Sequence, residues 1–545
     1  MISIEKWKPA NGLILETNAL KAVKEVQHCL ALTAGPGAGK TEMLAQRADF
    51  LLQSDSCSYP KRILAISFKV DACKNLKERV EMRCGHDLAS RFDSYTFHGF
   101  AKRIIDRFRP VLKGDDALDV DYTIGSTRIS KTQITFNDLV PLAMYILEQS
   151  KIARNTIRQT YSDVFLDEFQ DCTHAQYKLI KVAFGDTLIR MTAVGDTKQK
   201  IMGWAGAMEG IFKTFSNDFD AIKLNLYRNF RSKPNLLRMQ NEIIAELDPE
   251  SVMAEDLING DEGVINAEIF EDSYEEAEYL SDLINKWIKE DNIPLNEIAV
   301  LVSKQIDLYA SHLMKALEER GVPFRNEQSL QDITAEPLAR LIVDYLLCLY
   351  GKREPKAWER LIKQLIPFTT NEEDNNVREE FWEFIKNKKN NLNSKPLYYL
   401  WWDEVLAFLD YIGEETLIAL SSDYETNSRR EEIILETETR ITELLAIETD
   451  LPKALLRFTD DQAVRILTIH KSKGLEFHSV IIMAVENEIF FGKPDDERCA
   501  FFVGISRAKE KLLLTCVDFR ERPEGFNKRW SVKRTVQEEF WGYAQ

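Results

Sequence analysis

The sequence predicts an α/β protein built from two parallel-sheet domains, each interrupted by a mainly helical insertion. Three observations predict it. Short apolar runs bounded by Gly, Asp or polar turns recur along the 545 residues. Segments of helical periodicity, such as SHLMKALEER (311–320), lie between several of them. The runs also fall into two groups, one before about residue 200 and one after about residue 297. Strands alternating with helices imply parallel sheets covered on both faces. A chain of this length exceeds a single core, and roughly three or four domain-sized units are expected.

Taken in order, the first group of strands is CLALTAG (29–35), ILAISF (63–68), VFLDE (164–168) and LIRMTAVGD (188–196). The second is EIAVLV (297–302), VRILTI (464–469), VIIMAV (480–485) and KLLLTCV (511–517). Helical pattern without strand signals fills 98–159 in the first domain and 335–454 in the second. The expected division is therefore 1–97 and 160–228 for the first sheet domain, and 229–334 and 455–545 for the second.

The formal charge of −17 argues against a simple nucleic-acid coat protein, but it is unevenly spread. Residues 61–110 carry 12 Lys/Arg against 6 Asp/Glu, whereas residues 241–290 carry 2 against 16. A polyanion is expected to bind the first region and to be excluded from the second. The eight cysteines form no Cys-x-x-Cys pair and read as reduced, mostly buried thiols. The N-terminus lacks a signal-peptide core, and the longest apolar stretch, LARLIVDYLLCLY (338–350), is short and contains Asp344. A cytoplasmic protein with no membrane partner is expected.

The first strand runs into AGPGAGKT, comprising Ala34, Gly35, Pro36, Gly37, Ala38, Gly39, Lys40 and Thr41. Its glycines let successive backbone N–H groups turn inward onto phosphate oxygens, and the following helix adds its positive N-terminus. In such a loop Lys40 reaches the β- and γ-phosphates and the Thr41 hydroxyl ligates Mg²⁺. A second stretch, VFLDEFQD (164–171), ends an apolar strand in Asp167 and Glu168, with Asp171 three residues on. Like charges held close cannot all ionise cheaply, so a positive partner is required. A nucleotide-bound metal is the natural one: Asp167 holds it, and Glu168 orients and deprotonates the attacking water. ATP and Mg²⁺ are thus the expected ligands.

AGPGAGKT together with DEFQD (167–171) resembles the UvrD/Rep-like group of superfamily 1 DNA helicases. The resemblance extends, in that family's order, through ILAISFKVDACKNLKERV (63–80), TFHGFA (96–101), VGDTKQKIMGWAGA (194–207), LYRNFRS (226–232), TIHKSKGLEF (468–477) and VGISRAKEKLLLT (503–515). It implies two RecA-like P-loop motor domains with ATP between them. It implies that Gln199 senses the γ-phosphate, that Arg231 and Arg507 act as arginine fingers, that Phe230 stacks on the base and that Glu476 binds the ribose. It also places Phe68, His98, Trp204 and His470 on single-stranded DNA, where aromatic platforms hold bases without reading sequence.

Two activities follow from the resemblance. The first is an ATP-dependent 3′→5′ helicase and translocase on single-stranded DNA, or on duplex with a single-stranded tail. The second is an ATP-gated DNA sensor that hands DNA to a nuclease partner protein. Its basis is Met202 and Ala205, which stand where the family usually has Tyr and Arg, and short insertions like those of compact anti-phage members such as the Gabija helicase-like subunit. LETNALKAV (15–23) also lacks the family's adenine-reading Gln.

Overall fold

A computed structural model describes residues 2–68, 70–125, 127–199, 207–326, 333, 336–365, 372–392, 401–420, 424, 427–459, 463–523, 526 and 529–545. The strands, in chain order, are β1 (Leu30–Ala34), β2 (Arg62–Ser67), β3 (Phe92–Thr96), β4 (Leu118–Gly125), β5 (Lys131–Thr135), β6 (Tyr161–Leu166), β7 (Arg190–Gly195) and β8 (Ile222–Leu226). They continue with β9 (Val264–Asp272), β10 (Ile298–Val302), β11 (Phe324–Asn326), β12 (Val464–Thr468), β13 (Phe477–Met483) and β14 (Ala508–Phe519).

Two six-stranded sheets result. The first has the order β3-β2-β6-β7-β1-β8 and the second β11-β12-β10-β13-β14-β9. Every pairing in both is parallel. Parallel strands need helical crossovers, and helices on both faces bury the strands completely. Accordingly β10 is buried at every position, as are Val164, Phe165 and Leu166 in β6. Each of the eight apolar runs read from sequence overlaps one strand.

Four further strands were not visible in the hydropathy pattern: β3 (FDSYT), β8 (IKLNL), β9 (VINAEIFED) and β11 (FRN). All four are edge strands or short, so solvent reaches one side and polar residues interrupt the run. The 98–159 segment also holds more than helices. Between the helices Phe97–Phe108 and Leu139–Gln149, β4 and β5 pair as a two-stranded sheet.

The chain divides into two compact units. Residues 1–122, 129–328 and 464–545 form the first, which contains both six-stranded sheets. Residues 123–128 and 329–463 form the second. Its centre is the helix Pro337–Tyr350, buried at most positions, which is the expected fate of a helix apolar on most of its circumference. Asp344 is the one acid inside it, and the Arg360 guanidinium holds it, with Nε 2.9 Å from Oδ2. Among the described residues no helix is long and apolar enough to cross a membrane.

Candidate active site

The phosphate loop joins β1 to the helix Lys40–Gln53. Gly37 and Gly39 take left-handed conformations, φ +68° and +75°, which bend the loop so that it opens at the helix N-terminus. Gly37 is also a close approach. A Cβ there would lie 2.3 Å from Asn229 Oδ1 and 2.6 Å from Arg231 Cβ. The segment after β8 therefore rests on the loop, and the Phe230 N–H donates to Gly37 O at 3.0 Å. Asn229 Oδ1 accepts from the N–H groups of Arg231 (2.7 Å) and Ser232 (3.2 Å), an Asx turn that aims Arg231. The Lys40 ammonium donates to the carbonyls of Ala34 (3.2 Å) and Gly35 (3.4 Å), and Thr41 follows in the first helical turn.

Asp167 and Glu168 stand beyond the end of β6. The Asp167 N–H continues the pairing with β2 by donating to Ile66 O at 3.0 Å. Glu168 then breaks the strand with φ +51°, an uncommon conformation for a residue with a side chain. Its carboxylate accepts from Gln170 Nε2 at 2.6 Å. The two acids are driven apart electrostatically. Burial, and then the Glu168 charge, push Asp167 well above the ordinary carboxylate range. Burial also acts on Glu168, but Lys40, Lys473, the Gln170 hydrogen bond and Arg507 outweigh it and hold Glu168 below its ordinary value. Burial and neighbouring charges thus set the two adjacent carboxyls on opposite sides of their ordinary values.

The cation that meets Asp171 is Lys473, which sequence reasoning did not single out. Its Nζ lies 2.5 Å from Asp171 Oδ2 and 3.0 Å from Gln199 O, with both side chains buried. The signal was present in the sequence: Lys473 lies within TIHKSKGLEF, three residues before Glu476, and Asp171 was the acid that the metal reading left unused.

Arg507 reaches the same loop. Its Nη2 donates to Gln199 Oε1 at 3.2 Å and to Ser506 Oγ at 2.8 Å, while Nε and Nη1 donate to Val503 O and Leu475 O. All of these partners are neutral oxygens. Burial, followed by the neighbouring Arg231, lowers its pKa to about 9. A buried guanidinium bonded only to neutral oxygens fits an anionic substrate, which would supply the missing countercharge. Arg231 donates to Glu476 Oε2 (2.8 Å) and to Ser506 O (3.1 Å). Lys509 lies 3.5 Å from the same Glu476 carboxylate. Phe230 is 63% exposed beside the loop, with the Arg228 guanidinium carbon 5.8 Å from its ring centroid.

The structure thus gathers Lys40, Thr41, Asp167, Glu168, Gln199, Phe230, Arg231, Glu476 and Arg507 around one glycine-rich loop, from both six-stranded sheets. Phe68 follows β2 and is half-buried against Phe97, with ring centroids 5.1 Å apart. His98 lies 3.9 Å from the ring of Phe136, a partly exposed aromatic that sequence reasoning missed. Burial lowers the His98 pKa, and burial with Lys304 and Lys473 lowers that of His470, so both rings are neutral at neutral pH. Trp204, Met202 and Ala205 lie outside the described residues.

Residues 15–121 and 115–220 match the UvrD/REP helicase N-terminal domain, and residues 224–395 and 414–518 match the UvrD-like helicase C-terminal domain. The chain is 25% identical to the ATP-dependent DNA helicase PcrA of Bacillus subtilis, over 94% of this chain and 84% of that one. It is 22% identical to DNA helicase II of Escherichia coli, over 92% and 84%. It is 25% identical to the Gabija protein GajB of Bacillus cereus, over 89% of this chain and 92% of that one.

Proposed function

The chain belongs to the UvrD/Rep family of DNA helicases, and from that premise we propose that it is an ATP-driven translocase and helicase moving 3′→5′ on single-stranded DNA. The single observation that carries the reading is Arg507 with Gln199. A buried guanidinium from the second sheet domain meets the sensing glutamine of the first beside the phosphate loop. A motor needs such a link, because charge developing on the γ-phosphoryl group must be felt by both domains.

In this reading Lys40 exchanges the carbonyls of Ala34 and Gly35 for the β- and γ-phosphates of ATP. Thr41 and Asp167 would hold Mg²⁺, which when bound neutralises phosphate charge. Glu168, ionised at neutral pH, orients the attacking water and accepts its proton. Arg231 and Arg507 stabilise the equatorial phosphoryl oxygens, and Arg231 releases Glu476 to the ribose as it does so. Phe230 stacks on the base. Phe68, His98 with Phe136, Trp204 and His470 hold the DNA bases, the two histidines as neutral rings rather than as cations.

A second reading, an ATP-gated sensor that passes DNA to a nuclease partner, is favoured by the match to GajB over 92% of its length. Phosphate release by wild-type and Lys40→Ala protein, each with and without single-stranded DNA, tests the site. The expected result is strong stimulation that the variant loses. Normal turnover in the variant removes the site, and turnover without stimulation moves the assignment to the sensor. Strand displacement with and without an added nuclease then separates the two readings.

A further inference from the structure

The outer edge of the second sheet is built to receive another strand. Among the described residues β9 is its last strand and pairs only with β14, without a register shift from Lys511↔Val264 to Val517↔Phe270. Nine residues of edge are long for an exposed strand. Edges are usually blunted by charged side chains, proline or a bulge, and VINAEIFED has no lysine, proline or bulge, its only charges being the acids Glu268, Glu271 and Asp272. Around it lie apolar side chains that solvent reaches: Val264 (47% exposed), Ile269 (50%), Tyr279 (40%) and, at the end of β14, Phe519 (48%). The Tyr279 ring packs on Phe270 of the edge, with centroids 5.1 Å apart, and leaves its other side to water. Ile269 projects from the opposite face of the strand, because side chains alternate. An added strand would thus find an apolar contact on each face, with backbone groups of the edge between them up to Glu271, whose N–H already donates to Glu275 Oε2 at 2.8 Å.

Charge selects the occupant. Glu268 and Glu271 stand exposed on the edge, and Glu275 on the helix that follows it, whereas Glu278 is paired with Arg320. A second copy of this chain would set those carboxylates against their own kind, and DNA would bring phosphates to them. A strand carrying lysine or arginine between apolar residues meets none of these penalties. We propose that β9 is the docking edge for a basic β-strand of a partner protein, which would extend the second sheet to a seventh strand. This goes beyond the motor reading and does not depend on it.

The probe is a dye-labelled nonapeptide of alternating valine and lysine, titrated by fluorescence anisotropy at low salt, with amide hydrogen exchange read along β9. Binding should slow exchange in β9, and the double variant Glu268→Lys/Glu271→Lys should weaken it at least tenfold while ATP turnover stays at the wild-type rate. The same peptide N-methylated at alternate backbone nitrogens should bind at least tenfold more weakly, because strand addition requires its N–H groups. Equal binding of the methylated peptide would overturn the proposal, since that result reports charge attraction alone. So would protection of β9 by single-stranded DNA, or a dimer of the wild-type chain that the double variant abolishes.

Discussion

At the scale of single residues, the site is a set of charges placed where they are uncomfortable without a ligand. Asp167 is the clearest case. Its folded pKa lies above the unfolded one, because burial and the Glu168 charge oppose ionisation. The sign follows from linkage: such a group supports the fold while protonated, and that support is lost as pH rises through its folded value. Asp167→Asn should therefore raise the melting temperature of the nucleotide-free protein. The gain should vanish below the ordinary aspartate range and be larger at pH 8 than at pH 5. A gain that is the same at both pH values would mean that Asp167 is not the strained carboxyl. Lys473 offers the opposite test. Removing one partner of a buried ion pair typically costs about 3–5 kcal/mol. Lys473→Met should lower the unfolding free energy by about that amount in urea, and Lys473→Met/Asp171→Asn should recover most of it by neutralising the stranded carboxyl. The motif residues around this pair were legible because phosphate and metal chemistry restrict residue type and spacing. The pair itself was not, because its members lie 302 positions apart in the chain and only folding brings them together.

At the scale of elements, legibility followed burial. The eight apolar runs became strands because both faces of a parallel sheet are covered, which leaves a continuous hydrophobic signature. β3, β8 and β9 sit at sheet edges, where polar residues alternate with apolar ones and mimic loop composition. The β4–β5 pair was hidden for a similar reason. LDVDYTIG and KTQIT are polar at alternate positions, and the flanking helices dominate the window. The phosphate loop is the element in which sequence and structure agree most closely, yet sequence alone did not reveal what Gly37 is for. It provides both a left-handed turn and room for Asn229 and Arg231. Gly37→Ala should displace the Asn229–Ser232 turn and with it the aim of Arg231. The expected outcome is a loss of turnover of at least tenfold with the melting temperature changed by only a few degrees. Unimpaired turnover would mean that the turn is free to move away from the loop at no catalytic cost.

At the scale of the whole molecule, the distribution of charge bears on how DNA is held. The basic block at 61–110 looks in the sequence like a surface for a polyanion, but much of it is committed inside the fold. Arg62 is paired with Asp93, Arg79 and Arg83 with Glu42, and Lys102 with Asp106. Arg91 donates to the carbonyls of Cys57 and Lys61. What remains for phosphates is a smaller set that includes the exposed Arg103 and Arg107. Base stacking on Phe68, on the His98–Phe136 pair and on Trp204 would then carry a larger share of the binding than the local charge suggests. That apportionment can be measured, because each phosphate neutralised on a single strand contributes a slope of about −0.7 to log K against log salt. With about four phosphate contacts, the expected slope for this protein on single-stranded DNA is roughly −3. Phe136→Ala should weaken binding by about 1–3 kcal/mol and leave that slope unchanged, since a ring releases no counterions. A slope near −7 would instead assign the affinity to about ten phosphate contacts, and would require the committed arginines to leave their internal partners when DNA binds.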